Sequence, residues 1–413
     1  MNDVGARDSA HLHPWIAELQ QVPESESAFW DKVAAQTTPL LEPDSASENH
    51  TFVTYIWHLS EEAHHVVVQP GGFADPPSNL MDRIPGTRTC FACYRYRNDV
   101  RLNYTFAIDM PLVSWDDATQ EEIDNINKTF LGGSADPHNP NEIKLQFRSV
   151  SMLELDEAID ESLAYKRPNI ARGQITETRF KSEHLKNERT IWVYTPPHYA
   201  EVTKPCKLLM VFDGGWYLSL IPTHRILDNL LDDEAIDPVI AVFIDNATPT
   251  SRNTELACDG AFLSFIDEEL LPWVKTNYRI SESPEDAYVA GSSLGGLAAV
   301  WLGYRLPQLF GNVIGQAAAL GKLTLPEQPP EPGAELIKQF QTSSQLPLRF
   351  WLEVGLLDND KNIISANRRM KNVLQAKNYD LTYHEFAGGH DFMLWRGTLA
   401  QAIMTMMGKP KRL

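Results

Sequence analysis

The pentapeptide Gly291-Ser292-Ser293-Leu294-Gly295 constrains this chain more than any other stretch. It fits G-x-S-x-G. A short apolar run, Tyr288-Val289-Ala290, precedes it, and an apolar stretch, Gly296 to Trp301, follows. A serine between strand and helix in this way sits on a tight, strained turn, and small neighbours are needed to keep Cβ atoms out of it. The pattern therefore predicts an α/β sheet with the Ser293 hydroxyl displayed above it, near a helix N-terminus. The competing reading is an ordinary glycine-rich turn, which would carry no chemistry.

The surrounding sequence supports the sheet. Thr190 to Thr195, Leu208 to Phe212, Val239 to Ile244, Ala287 to Ala290, Leu348 to Val354 and Tyr383 to Phe386 are strand-like, and most are apolar without clean alternation. Parallel strands covered on both faces need such runs. Between them, Leu297 to Arg305 and Ile363 to Lys377 carry apolar residues at helical spacing. Alternating strands and helices predict a doubly wound α/β domain. The Pro-rich stretch from Glu327 to Gly333 reads as a loop.

The first half has a different texture. Val53, Tyr55 and Trp57 alternate with their neighbours, as do Leu102, Tyr104, Phe106 and Ile108. Period-2 alternation broken by turn signals such as Gly71-Gly72 and Pro85-Gly86 predicts half-buried strands in a small all-β, sandwich-like domain. The expected division is residues 1–150 for the β-domain, 151–180 for a polar linker, and 181–413 for the catalytic domain.

Composition narrows the function. The 413 residues suffice for two or three domains. Acidic residues outnumber basic ones, 55 to 36, for a net charge of −19. That excess argues against nucleic acid and anionic membrane as partners. An anionic substrate would need local cations working against the global field. Of four cysteines, Cys90 and Cys93 form a CxxC in an aromatic, strand-like run. Without a second pair, packed thiols are expected there rather than a zinc site. No basic, apolar leader and no membrane span are apparent, so a soluble cytoplasmic protein is expected.

A serine nucleophile needs a base, and in this fold the order is serine, acid, histidine. Asp358 follows an apolar strand in Gly355-Leu356-Leu357-Asp358, and His390 follows the last strand in Gly388-Gly389-His390-Asp391. His390 is expected to take the Ser293 proton, and Asp358 to hold the imidazole tautomer. Asp360 and Glu353 lie close enough to replace Asp358. For the oxyanion, one donor should be the Leu294 N–H. The other should come from Asp213-Gly214-Gly215-Trp216, where glycine admits close approach; Gly214, Gly215 and Trp216 are all candidates. This chemistry calls for no metal and no organic cofactor.

These residues resemble a family. Arg189-Thr-Ile-Trp-Val-Tyr-Thr-Pro-Pro, Phe212 to Trp216, Arg252-Asn-Thr-Glu-Leu256 and Gly291 to Gly296 resemble the putative-esterase group of α/β-hydrolases. More narrowly, Gly388-Gly-His-Asp-Phe-Met-Leu-Trp-Arg-Gly397 and Ser182-Glu-His-Leu-Lys-Asn187 are similar to the enterochelin (enterobactin) esterase family. Gly86-Thr-Arg-Thr-Cys90, Asn103-Tyr-Thr-Phe-Ala-Ile108 and Ala135-Asp-Pro-His-Asn-Pro140 look like that family's N-terminal β-domain. The resemblance implies an α/β-hydrolase domain preceded by an all-β domain. It also implies hydrolysis of a tri-catecholate siderophore lactone in the cytoplasm, with any iron arriving as cargo of the substrate. Such an anionic, aromatic substrate would want Arg252, Arg396, Trp216 and Trp395 near the nucleophile. The alternative is a general carboxylesterase for small acyl esters, which would not need the arginines.

Overall fold

The structure is a computed structural model that describes residues 4–72, 75–115, 117–145, 148–321 and 332–409, with the side chains of 130–131 and 360–361 outside that description. Two compact units are present. One comprises Met1–Ile159 together with two later loops, Leu356–Asn359 and Ala387–Asp391. The other comprises Asp160–Gly355, Asp360–Phe386 and Phe392–Leu413.

The second unit is built on eight strands: β1 (Gln174–Ser182), β2 (Asn187–Thr195), β3 (Lys207–Phe212), β4 (Val239–Ile244), β5 (Ala287–Ser292), β6 (Asn312–Gln316), β7 (Arg349–Gly355) and β8 (Asp380–Phe386). Their order across the sheet is β1-β2-β4-β3-β5-β6-β7-β8. β1 and β2 form an antiparallel hairpin, β2 runs antiparallel to β4, and the strands from β4 to β8 are parallel. β3 and β4 bury both faces, which explains their apolar runs. Leu208, Met210 and Phe212 enter a core shared with helix Leu294–Arg305. Leu209 and Val211 enter the opposite core, shared with helices Thr223–Asp232 and Phe392–Met407. Because β5, β7 and β8 are parallel, the turns that follow them leave one edge of the sheet. Those turns carry Ser293, Asp358 and His390.

The first unit is a sandwich of antiparallel strands. Thr89–Arg97 pairs with His50–His58, Gly5–Arg7 and Asp82–Arg83 in one sheet. Arg101–Ile108 pairs with Val66–Pro70 and Ser149–Glu154 in the other. Val53, Tyr55, Tyr94 and Tyr96 meet Val68, Leu102, Tyr104 and Phe106 in one core, where the Tyr55 and Tyr104 rings lie 4.8 Å apart. Cys90 and Cys93 are three apart on one strand, so they face opposite sides of the sheet. Both are buried, and burial pushes each thiol up to about 11. This geometry is that of packed thiols, not of paired ligands.

The stretch read as a linker is strand at both ends. Its start falls in Ser149–Glu154, inside the sandwich, and its end in β1. β1 keeps most of its side chains exposed and is held by backbone pairing to β2 along nine residues. An edge strand of that kind has no apolar pattern to read. The Pro-rich reading falls partly on residues 327–331, outside the described residues, and Pro332 and Gly333 already belong to helix Pro332–Thr342. No helix among the described residues is long and apolar enough to cross a membrane.

Candidate active site

Ser293 occupies φ 55°, ψ −120°, between β5 and helix Leu294–Arg305. Non-glycine residues there cost on the order of 1–3 kcal/mol and persist only when their surroundings hold them. Three main-chain bonds do so. The Ser293 N–H donates to Gln316 O at 2.9 Å, and Ser293 O accepts from Leu297 N at 3.0 Å and Ala319 N at 2.9 Å. Space requires the first motif glycine and is tight at the second. A Cβ on Gly291 would lie 2.5 Å from the Gly295 backbone, and one on Gly295 would lie 3.2 Å from Asp213 Oδ2. Leu294 opens the helix, where the first N–H groups have no intrahelical acceptor.

Asp358 and His390, the expected acid and base, lie on the two late loops of the first unit. His390 Nδ1 and Asp358 Oδ2 are 2.6 Å apart, with 6% and 0% of their side chains exposed. The Asn359 N–H donates to Asp358 Oδ1 at 2.6 Å. Asp358 is thus fixed at both oxygens. Glu353, the other carboxylate described near this position, is committed elsewhere. Trp351 Nε1 donates to it at 2.7 Å and Gln316 Nε2 at 2.9 Å, and the Thr398 hydroxyl also bonds it. Burial pushes its carboxyl up to about 7. The side chain of Asp360 lies outside the described residues.

The loop after β3 begins with Asp213 at φ 55° and leads into the short helix Gly214–Ser219. A Cβ on Gly214 would lie 2.7 Å from the Phe243 backbone, so only glycine fits. Two of the three amides singled out from sequence have acceptors. Trp216 N–H donates to Asp213 O at 2.9 Å. The Gly215 N–H bonds the Asp245 carboxylate.

Comparison with known proteins gives the chain a family. The family model described as "Putative esterase" matches residues 182–406. A second, described as "Enterochelin esterase, N-terminal", matches residues 52–163. The chain belongs to the enterochelin esterase family. It is a carboxylic ester hydrolase. An iron(III) enterobactin esterase from Dickeya dadantii is 28% identical over 93% of this chain and 94% of its own. One from Escherichia coli O6:H1 is 30% identical over 66% of this chain and 67% of its own. The crystal structure of the enterobactin esterase from Shigella flexneri in the presence of enterobactin superposes with a TM-score of 0.71. It is 26% identical and covers 92% of this chain and 97% of that one.

Within this esterase, three of the four side chains expected to meet substrate have other occupations. Arg252 grips Asp213 with both arms, Nε to Oδ1 at 2.6 Å and Nη2 to Oδ2 at 2.8 Å. Asn246 Nδ2 adds a third bond to Asp213 at 2.6 Å. Arg252 is therefore a brace for the β3 loop, not an idle cation. Arg396 pairs with Glu161 in the same two-armed way, with Nη2 to Oε1 at 2.7 Å. Trp395 is 6% exposed and packs in the core beneath helix Phe392–Met407. Trp216 differs. It is 51% exposed, with the Arg252 guanidinium 5.1 Å from its ring centre. Sequence gave no sign of Gln316. Its side chain receives the Tyr217 hydroxyl at 2.9 Å and donates to Glu353, while its carbonyl holds Ser293. The one usable signal was Glu353, a carboxylate within the apolar stretch of residues 350–354.

Proposed function

We propose that this esterase hydrolyses the ester bonds of a tri-catecholate siderophore, an enterobactin-like trilactone in its ferric or iron-free form, to dihydroxybenzoyl-serine units. The observation that carries this is the match of residues 52–163 to the N-terminal domain of enterochelin esterases. The alternative, a general carboxylesterase for small acyl esters, leaves a match to a domain of that description unexplained.

The proposed nucleophile is Ser293, with His390 as base and Asp358 as its orienter. Support comes from the strained elbow, the 2.6 Å acid–base pair and the chain order on one edge of a parallel sheet. Ser293 Oγ attacks the serine-ester carbonyl as its proton passes to His390 Nε2. Asp358 keeps the Nδ1 proton in place and stabilises the imidazolium. The oxyanion rests on the N–H groups of Leu294 and Gly214. His390 then protonates the leaving alkoxide, and a water that it activates releases the acyl group from Ser293. Trp216 is the aromatic surface offered to a catechol arm. The reaction is assigned to the cytoplasm, because iron set free by hydrolysis is of use only inside the cell.

Chromatography of products after mixing the protein with ferric and with iron-free enterobactin tests the reading. Dihydroxybenzoyl-serine species should appear, and Ser293→Ala should abolish them. No product, alongside brisk turnover of small aryl esters, would hand the assignment to a general carboxylesterase.

A further inference from the structure

The loop that carries His390 takes its bonds from the β-sandwich. His390 N–H donates to Gly71 O at 2.8 Å, and Gly71 N–H donates to Asn103 O at 2.7 Å. Arg101 N–H donates to Ala387 O at 3.3 Å, and Asn103 N–H to Asp391 Oδ2 at 3.3 Å. The acid loop is tied in as well. Leu357 N–H donates to Gly388 O at 2.9 Å, and Leu356, Leu357 and Ala387 pack on the sandwich core. Three glycines, Gly71, Gly72 and Gly389, make the approach possible. Gly71 and Gly72 have φ +72° and +97°. A Cβ on Gly71 would lie 3.0 Å from Gly389 Cα, and one on Gly72 would lie 2.8 Å from His390 O. A Cβ on Gly389 would overlap Gly71 O.

We propose that the Gly71–Gly72 turn is a positioning clamp for His390, so that the N-terminal unit is needed for turnover of every ester and not only of a bulky siderophore. Loops are mobile by default, whereas a general base has to be held within about 0.5 Å of its working position. A misplacement of about 1 Å costs on the order of 100-fold in rate. The strand Arg101–Ile108 and the Gly71–Gly72 turn supply the rigidity that a five-residue loop, Ala387–Asp391, does not have alone. Gly71 and Gly72 touch His390 and not the reacting atoms, so they are positioning residues. The inference rests on the reading of His390 as the base.

Gly72→Ala tests it in the full-length chain. With a small neutral aryl ester, kcat should fall at least tenfold while KM stays within twofold. The deshielded ring-proton resonance of the His390–Asp358 hydrogen bond should broaden or vanish. Gly86→Ala is the control. It has φ +77° in the same unit, with its Cβ only 3.3 Å from Pro23 Cβ, and it should lower stability while leaving kcat unchanged. If Gly72→Ala keeps full kcat and the resonance while His390→Ala is inactive, the clamp is wrong and the base assignment stands. If His390→Ala turns over normally, the base assignment itself fails. Should Gly72→Ala not fold, amide exchange in the wild-type chain decides. The His390 N–H should be protected as a hydrogen-bonded amide, and exchange at the rate of an open loop overturns the proposal.

Discussion

Arg252 and Asp213 show how one residue reaches the chemistry through another. Asp213 starts the loop from which the proposed oxyanion donor comes, and it sits in a left-handed conformation. The planar fork of Arg252 matches its carboxylate at two points. Lysine would keep the charge and lose the fork. Arg252→Lys should therefore lower kcat by about tenfold, a loss smaller than deleting an oxyanion donor. Because the brace acts on the loop, the factor should be the same for a neutral nitrophenyl ester and for a catecholate lactone. A loss confined to KM of the anionic substrate would show that Arg252 contacts substrate instead. Asp358→Asn presents the wrong partner to Nδ1 and should cost about 10³–10⁴ in kcat, measured on the small ester. Ser293, Asp358 and His390 could be singled out because each follows a strand in its own short signature. The duties of the arginines were not legible. Asp213 lies 39 residues from Arg252, and Glu161 lies 235 from Arg396. No local pattern records such pairings.

At the scale of elements, Glu353 joins β7 to β6 and to helix Phe392–Met407 through Gln316 and Thr398. Its carboxyl is raised by burial from 4.5 to about 7. Below about 4.5 both folded and unfolded chains hold this proton, so it contributes no pH dependence. Between about 4.5 and 7 the unfolded chain has shed the proton and the native chain keeps it, so stability falls as pH rises. Above about 7 the loss is complete, on the order of 3 kcal/mol. Denaturant melts at pH 5 and pH 8 should show this decline in the wild type and not in Glu353→Gln. Equal slopes in both would place the titration elsewhere. The same network explains which strands could be read. β3 and β4 announce themselves as apolar runs because both faces are covered. β6, Asn312-Val-Ile-Gly-Gln316, hides its role because its terminal residues are polar by duty. The helices Pro14–Gln21 and Glu26–Ala34 cover Ile56 and Phe91 on the outer face of a sandwich sheet. They went unread because their apolar residues are few and serve a surface formed by distant strands.

For the whole molecule, the net charge of −19 opposes the arrival of a ferric tri-catecholate, itself an anion. Arg252 and Arg396 do not relieve this, since each is matched by a carboxylate. The long-range field should then dominate association. Salt weakens that field, since the screening length falls from about 30 Å at 0.01 M to about 8 Å at 0.15 M. kcat/KM for the ferric siderophore should accordingly rise over this range of ionic strength, while kcat/KM for a neutral aryl ester stays flat. One feature of the surface works in the other direction. Lys166, Arg167, Arg172, His224 and Arg225 line a hollow of about 150 Å³ beside helix Thr223–Asp232. Asp233 already offsets Arg167, and burial beside Arg225 and Arg172 lowers His224 to about 4, which leaves it uncharged at neutral pH. Lys166, Arg172 and Arg225 remain, with Asp228 in the same lining, and all are already counted in the net charge of −19. A fall in kcat/KM with added salt would reverse that ranking. Arg172→Ala with Arg225→Ala should then abolish the fall if this hollow steers the substrate.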